Sequence, residues 1–235
     1  MKRPLRCLAF ATMTVLLLFS SASAQQVTGA ASGIFVSPIG PSGMVVTGVG
    51  TNSFTWGTPD TTPNPNNLTF TGQTFIAASG VPFVVGTTLD YYNGSIVPGT
   101  HADFVDLQIS LAFTDPAGIS ENFQYSLELI GTLNTDDPVA SADYVKLPTT
   151  FAPRVFNSGG LEYTLQILGF AVPAQSGFDF IDEFFVFENA SASAALVASV
   201  TIVPEPISLL GLAGGLAGLA GLRLPVLLKS HRNRA

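Results

Sequence analysis

Between Val105 and Phe113 the chain alternates without a break: Val105, Leu107, Ile109, Leu111 and Phe113 are apolar, and Asp106, Gln108, Ser110 and Ala112 stand between them. Side chains leave a strand on opposite faces with a period of two, so this run predicts a strand with one face in a core and one in water. Phe123, Tyr125, Leu127 and Leu129 repeat the pattern against Gln124, Ser126 and Glu128, after the turn signal Asp115-Pro116-Ala117-Gly118. The two runs predict an antiparallel hairpin. A third alternation, Leu161, Tyr163, Leu165 and Ile167, follows Asn157-Ser158-Gly159-Gly160, with 151–156 as its expected partner across that turn.

Shorter strand candidates are 54–56, 68–70, 74–76, 89–92, 143–147, 184–187 and 196–203, and the proline-bearing stretch 60–67 reads as a loop. Sustained 3.6-residue periodicity is missing between residues 25 and 203, and turn signals recur every dozen or so residues. The fold class expected is all-β, an antiparallel β-sandwich of jelly-roll-like type, with the chain's 18 phenylalanines as bulky filling between the sheets.

Both ends differ from this middle. Lys2, Arg3 and Arg6 precede an apolar stretch from Cys7 to Phe19, and Ala22-Ser23-Ala24 supplies the small residues of a cleavage site. That is the pattern of a secretory signal peptide over residues 1–24, with Ala22 and Ala24 as the cleavage determinants read by signal peptidase. The single cysteine, Cys7, lies within it, so the mature chain is expected to hold no disulfide, zinc-thiolate site or catalytic thiol. At the other end Val203-Pro204-Glu205-Pro206 leads into an uncharged run from Ile207 to Leu222 and then Arg223, Lys229, Arg232 and Arg234. Two prolines remove two backbone donors and mark a border at which strand pairing gives way to a helix. Sixteen residues make a helix of roughly 24 Å, enough for a bilayer core if Leu224 to Leu228 extend it, with the basic end retained in the cytoplasm.

Pro204-Glu205-Pro206, a Leu/Gly/Ala helix and the arginine-bearing end from Arg223 resemble the PEP-CTERM sorting signal of Gram-negative bacteria. The resemblance covers residues 203–235. It implies recognition by a membrane protease of the exosortase type, cleavage near the tripeptide, and delivery to the cell surface or an exopolysaccharide matrix. In one respect the chain departs from the pattern: Arg223 is followed by a second apolar patch rather than by more arginines. An uncut C-terminal anchor is the alternative.

Removing both ends leaves residues 25–202 as one extracellular domain. It keeps only Lys146 and Arg154 of nine basic residues but fifteen of sixteen acidic ones, all except Glu205, a net charge of −13 against −7 for the whole chain. That sign disfavours nucleic acid and anionic lipid as partners and leaves cations, basic proteins and neutral glycans.

Several blocks of this domain, 53–59, 67–72, 86–94, 141–145 and 187–194, resemble in sequence and order the bacterial choice-of-anchor K domain. The resemblance spans roughly residues 28–202 and implies an extracellular β-rich module attached by different C-terminal signals in different species. It implies no chemistry.

Candidate chemistry in the domain is sparse. His101 is its one histidine, near Asp103 and Asp106, and any Ser-His-Asp hydrolase here would need it as base, yet no G-x-S-x-G elbow is present. Paired carboxylates of a glycoside hydrolase are a distant reading, since Asp106, Glu128 and Glu162 fall at outward strand positions. Asn134-Thr135-Asp136-Asp137-Pro138 and Asp143 gather carboxylate and amide oxygens in one turn, a Ca²⁺-type donor set with Asp136, Asp137 and Asp143 as ligands. The other reading of that turn is a solvated acidic loop, and Asp179, Asp182 and Glu183 form a second cluster. Trp56 with Phe54, Tyr91 and Tyr92 reads either as a sugar-stacking platform or, by its alternation, as core.

The function expected is that of an exported, surface-sorted, non-enzymatic protein of the cell envelope or exopolysaccharide matrix. It carries no obligatory cofactor, meets the secretion machinery and an exosortase, and touches the membrane only through its C-terminal helix before processing. The alternatives are a calcium-dependent or carbohydrate-binding adhesive module and, third, a glycoside hydrolase.

Overall fold

The computed structural model describes residues 25–135 and 137–204. The signal peptide with Ala22 and Ala24, the tail residues Glu205, Pro206 and Arg223, and Asp136 lie outside the described residues. Within them the chain is all-β, and every ladder is antiparallel.

In chain order the strands are β1 (Gln26–Ile39), β2 (Val46–Thr47), β3 (Ser53–Trp56), β4 (Asn66–Gly72), β5 (Thr74–Ala78), β6 (Phe83–Val84), β7 (Gly86–Tyr92) and β8 (Phe104–Asp115). There follow β9 (Ser120–Ile130), β10 (Asp143–Lys146), β11 (Arg154–Ser158), β12 (Leu161–Pro173), β13 (Phe178–Ile181), β14 (Glu183–Val186) and β15 (Ser191–Pro204). One sheet runs β14-β10-β9-β8-β1-β5 and the other β11-β12-β15-β7-β4-β3-β2, with β13 on β12 and β6 on β15.

The sheets share one core and make a sandwich-like body. Their inner faces meet ring to ring: Phe35 of β1 and Phe54 of β3 lie 6.0 Å apart, Phe113 of β8 and Phe156 of β11 5.4 Å, and Tyr91 of β7 and Phe184 of β14 6.3 Å. The strict alternation has its expected consequence, since Val105, Leu107, Ile109, Leu111 and Phe113 are all buried and β8 pairs with β9 from Phe104↔Glu128 to Ala112↔Ser120. Outward residues of that hairpin form a polar ladder, in which Gln108 Nε2 donates to Gln124 Oε1 (2.9 Å) and Gln124 Nε2 to Asp106 Oδ2 (2.8 Å).

Two features differ from the sequence reading. Asn66 and Asn67, read as the end of a loop, open β4 instead. Asparagine favours turns because its side chain competes for backbone partners, but here both carboxamides find tertiary ones. Asn66 Oδ1 accepts from Gly94 N (2.7 Å), and Asn67 Nδ2 donates to Ser53 Oγ (3.0 Å) and Phe54 O (3.2 Å). The second feature is β1, a 14-residue strand inside the first sheet that carries no apolar alternation to announce it. Its inward positions include Gly29 and Gly33, each under a phenylalanine: a Cβ on Gly33 would stand 2.5 Å from the Phe70 ring, and one on Gly29 2.6 Å from that of Phe75. The partner supplies the apolar surface and glycine supplies the room.

Candidate functional site

The acidic turn singled out above divides into an outer and an inner part. Asp137 is exposed, and its Oδ1 accepts from Val139 N (2.9 Å), closing a local turn. Asp143, by contrast, is only 7% exposed. It begins β10 on the inner face, two residues before buried Val145, and its Oδ1 accepts from Thr132 N (2.7 Å) and Thr132 Oγ1 (3.2 Å). Among the described residues, no three His, Cys, Asp or Glu side chains converge in a metal-holding group.

Asp143 instead joins a buried polar layer at one end of the sandwich that sequence reasoning missed. Strand parity builds it. Phe70 and Leu68 of β4 face the core, as do Leu89 and Tyr91 of β7, and one step further along each inner face stand Asn66 and Asn93. Both asparagines are buried, with Thr62, Ser95 and Ser141 around them. The layer is closely tied: Ser95 N donates to Thr62 Oγ1 (3.0 Å), Asn134 Nδ2 to Ser95 Oγ (2.6 Å), and Thr135 N to Ser141 Oγ (2.8 Å). Asn93 Nδ2 donates to Val186 O (2.9 Å), and Val186 is the residue opposite Asp143 in the β10–β14 ladder. The signal for this layer is in the sequence, as asparagines at inward parity on the ends of two apolar strands, but it becomes meaningful only once β4 and β7 are known to pair.

Burial holds the Asp143 carboxyl above the ordinary carboxylate range, against the lowering effect of the Thr132 donors and of the Asn66 carboxamide beside it. Glu188, in the turn between β14 and β15, is raised as well, by burial first and then by the charges of Asp143 and Asp60, with Asn134 opposing. Burial, followed by the same two carboxylates Asp143 and Glu188, also drives the Tyr91 hydroxyl upward. From the ordinary carboxylate range up to the raised values, the folded protein binds more protons than the unfolded chain, so stability falls as pH rises through that window. Urea unfolding at several pH values in EDTA is expected to show this fall, and Asp143→Asn to flatten it; an unchanged slope in the variant would place its origin elsewhere.

The remaining candidates fall apart by location. His101 Nε2 lies 3.2 Å from Asp103 Oδ1, with both side chains 40% or more exposed in the segment before β8. Glu183 pairs with Lys146 across the β10–β14 ladder, away from Asp179 on β13. Phe54, Trp56 and Tyr91 are core residues, and only Tyr92 is half-buried, its hydroxyl donating to Asn189 Oδ1 at 3.2 Å. On the first sheet a recess of about 520 Å³ is lined by polar residues, among them Ser32, Gln108, Gln124 and Arg154, together with apolar ones such as Ile34 and Phe123. Searches against family models and against curated proteins found no match to the chain.

Proposed function

We propose that this protein is an exported, non-enzymatic module of the cell envelope or exopolysaccharide matrix, sorted by its C-terminal signal. Signal peptidase removes residues 1–24, and an exosortase-type protease reads Pro204-Glu205-Pro206, the following helix and Arg223 and cuts near the tripeptide. The observation that supports this most is where the last described strand stands in the sequence. β15 carries paired backbone up to Pro204, whose Cα partner is Leu161, and Pro204 is the first residue of the tripeptide. A protease acting just after it leaves the β12–β15 ladder whole.

The domain itself, residues 25–202, is read as jelly-roll-like because the chain passes from sheet to sheet between β1 and β2, β4 and β5, β5 and β6, β7 and β8, β10 and β11, β13 and β14, and β14 and β15. Its net charge of −13 favours cations and neutral glycans as partners over nucleic acid or anionic lipid. The recess on the first sheet, which sets amide and hydroxyl groups beside the apolar Ile34 and Phe123, supports, as a second reading, an adhesive module that takes glycan chains.

Fractionation of cells that carry an exosortase tests the sorting claim. The wild-type chain is expected in the surface fraction, and a variant with Pro204, Glu205 and Pro206 all replaced by alanine in the membrane fraction, uncut. Equal surface delivery of both would overturn the claim.

A further inference from the structure

The geometry points to a calcium site in the buried polar layer, formed by the carboxylates of Asp143 and Glu188 and the Asn93 Oδ1, at the end of the sandwich where β4, β7, β10 and the β14–β15 turn meet. Two carboxylates alone would not establish it. The independent observation is Asn93, which is fully buried and whose Oδ1 has no hydrogen-bond partner. Its orientation is fixed by chemistry: the amide nitrogen must face Val186 O, an acceptor, so the oxygen is the atom left free. Backbone pairing holds this carboxamide beside the turn that carries Glu188, since Asn189 N donates to Asn93 O (2.7 Å) and Asn93 N to Ala190 O (3.0 Å). The next residue, Gly94, bonds Asn66, whose carboxamide rests against the Asp143 carboxyl. The carboxamide that carries the unpaired oxygen is thus tied on one side to the residue opposite Asp143 and on the other to the turn that carries Glu188.

An unpartnered buried acceptor between the strand opposite Asp143 and the turn of Glu188 calls for a positive or donating occupant, since a buried polar group left unsatisfied is costly. Among the described residues the lysine and arginine are elsewhere: Lys146 is on Glu183, and the Arg154 guanidinium sits over the Phe123 ring at 5.6 Å. Every donor offered is oxygen, from carboxylate, carboxamide and hydroxyl, and neither imidazole nor thiolate belongs to the layer. That set selects a hard cation with flexible coordination, Ca²⁺ over Zn²⁺ or Cu²⁺, and water completes the shell. Asp60 adds negative charge at the outer side. The site differs from the turn 134–138 taken alone, because Asp137 Oδ1 is spent on Val139 N. It depends on the fold and not on the sorting of the protein.

Calorimetric titration of the exported protein with CaCl₂ after EDTA treatment, paired with thermal melts, tests the assignment. The expected result is saturable binding of one ion and a melting temperature that rises with Ca²⁺, with at least tenfold weaker binding in Glu188→Gln and in Asp143→Asn and unchanged binding in Asp137→Asn. Glu188 is at a half-exposed turn, so its variant reports even if Asp143→Asn folds poorly. Absence of heat and of a melting shift at millimolar CaCl₂, or loss of binding in Asp137→Asn alone, would overturn it. A buried water on Asn93 Oδ1 in place of the ion would give that null titration.

Discussion

Replacing Trp56 by alanine is expected to cost about 3–5 kcal/mol of folding stability, the range for deleting a large buried aromatic. The ring is 3% exposed and is the middle link of a chain of aromatics that leaves one sheet, crosses the other and returns. Phe35 of β1 meets Phe54 of β3 at 6.0 Å, Phe54 meets Trp56 at 5.6 Å, Trp56 stacks on Tyr91 of β7 at 5.8 Å and 6°, and Tyr91 reaches Phe184 of β14 at 6.3 Å. Removing the indole leaves a cavity bordered on both sides by rings held on different strands, which cannot close without shifting the ladders. Leu133→Ala is the control: that side chain is 78% exposed, and its loss is expected to stay within about 0.5 kcal/mol. Urea unfolding followed by far-ultraviolet circular dichroism measures both, and equal midpoints for the two variants would contradict the core assignment.

The second large effect concerns glycine, and it separates two kinds of crowding. At Gly33 the atoms nearest an added Cβ all belong to the Phe70 ring, at 2.5–2.9 Å, so Gly33→Ala is expected to cost about 1–3 kcal/mol as an overpacked core. Because the obstacle is a side chain, Phe70→Leu in the same molecule should recover part of the loss, a favourable coupling in a double-mutant cycle. At Gly72 the obstacle is backbone: the Cβ would fall 2.1 Å from Ala31 O, in the stretch where Ala31 N donates to Gln73 O at 2.8 Å. Gly72→Ala is therefore expected to cost about 3 kcal/mol, the upper end of the same range, and no side-chain truncation should rescue it. Full rescue of Gly72→Ala by Phe70→Leu would show that the close approach of β1 to the end of β4 has been misplaced.

These two examples also explain how far the fold can be read from the chain. β8, β9 and the first half of β12 are legible because their core residues are their own, spaced two apart. β1 is not, because its inner face is hollow where Phe70 and Phe75 fill it from other strands. A period-two search finds apolar side chains and is blind to the space reserved for them. β15 starts five residues earlier than its apolar run suggests, since Ser191 to Ala194 are small residues that extend the sheet by pairing with β7 and not by packing bulk.

The candidate site follows the same logic. Asp143 stands out in the sequence as the end of an acidic stretch, and the structure brings it to the interior while leaving Asp137 in solvent. Asn66, Asn93 and Glu188 are separated from it by tens of residues and share no local pattern with it. What unites them is strand pairing: β4 lies on β7, β10 on β14, and the turn after β14 is bonded to Asn93. Convergence of that kind is a product of topology, and single residues do not display it.

The central claim is that a folded β module is exported and then released from its C-terminal tail. Intact-mass determination of the protein recovered from the surface of cells that carry an exosortase tests it most directly. The account predicts a chain that begins at Gln25 and ends close to Pro204, well below the 24.5 kDa of the full sequence. Recovery of the 24.5 kDa chain from the cytosol, with Met1 and Ala235 both present, would contradict it.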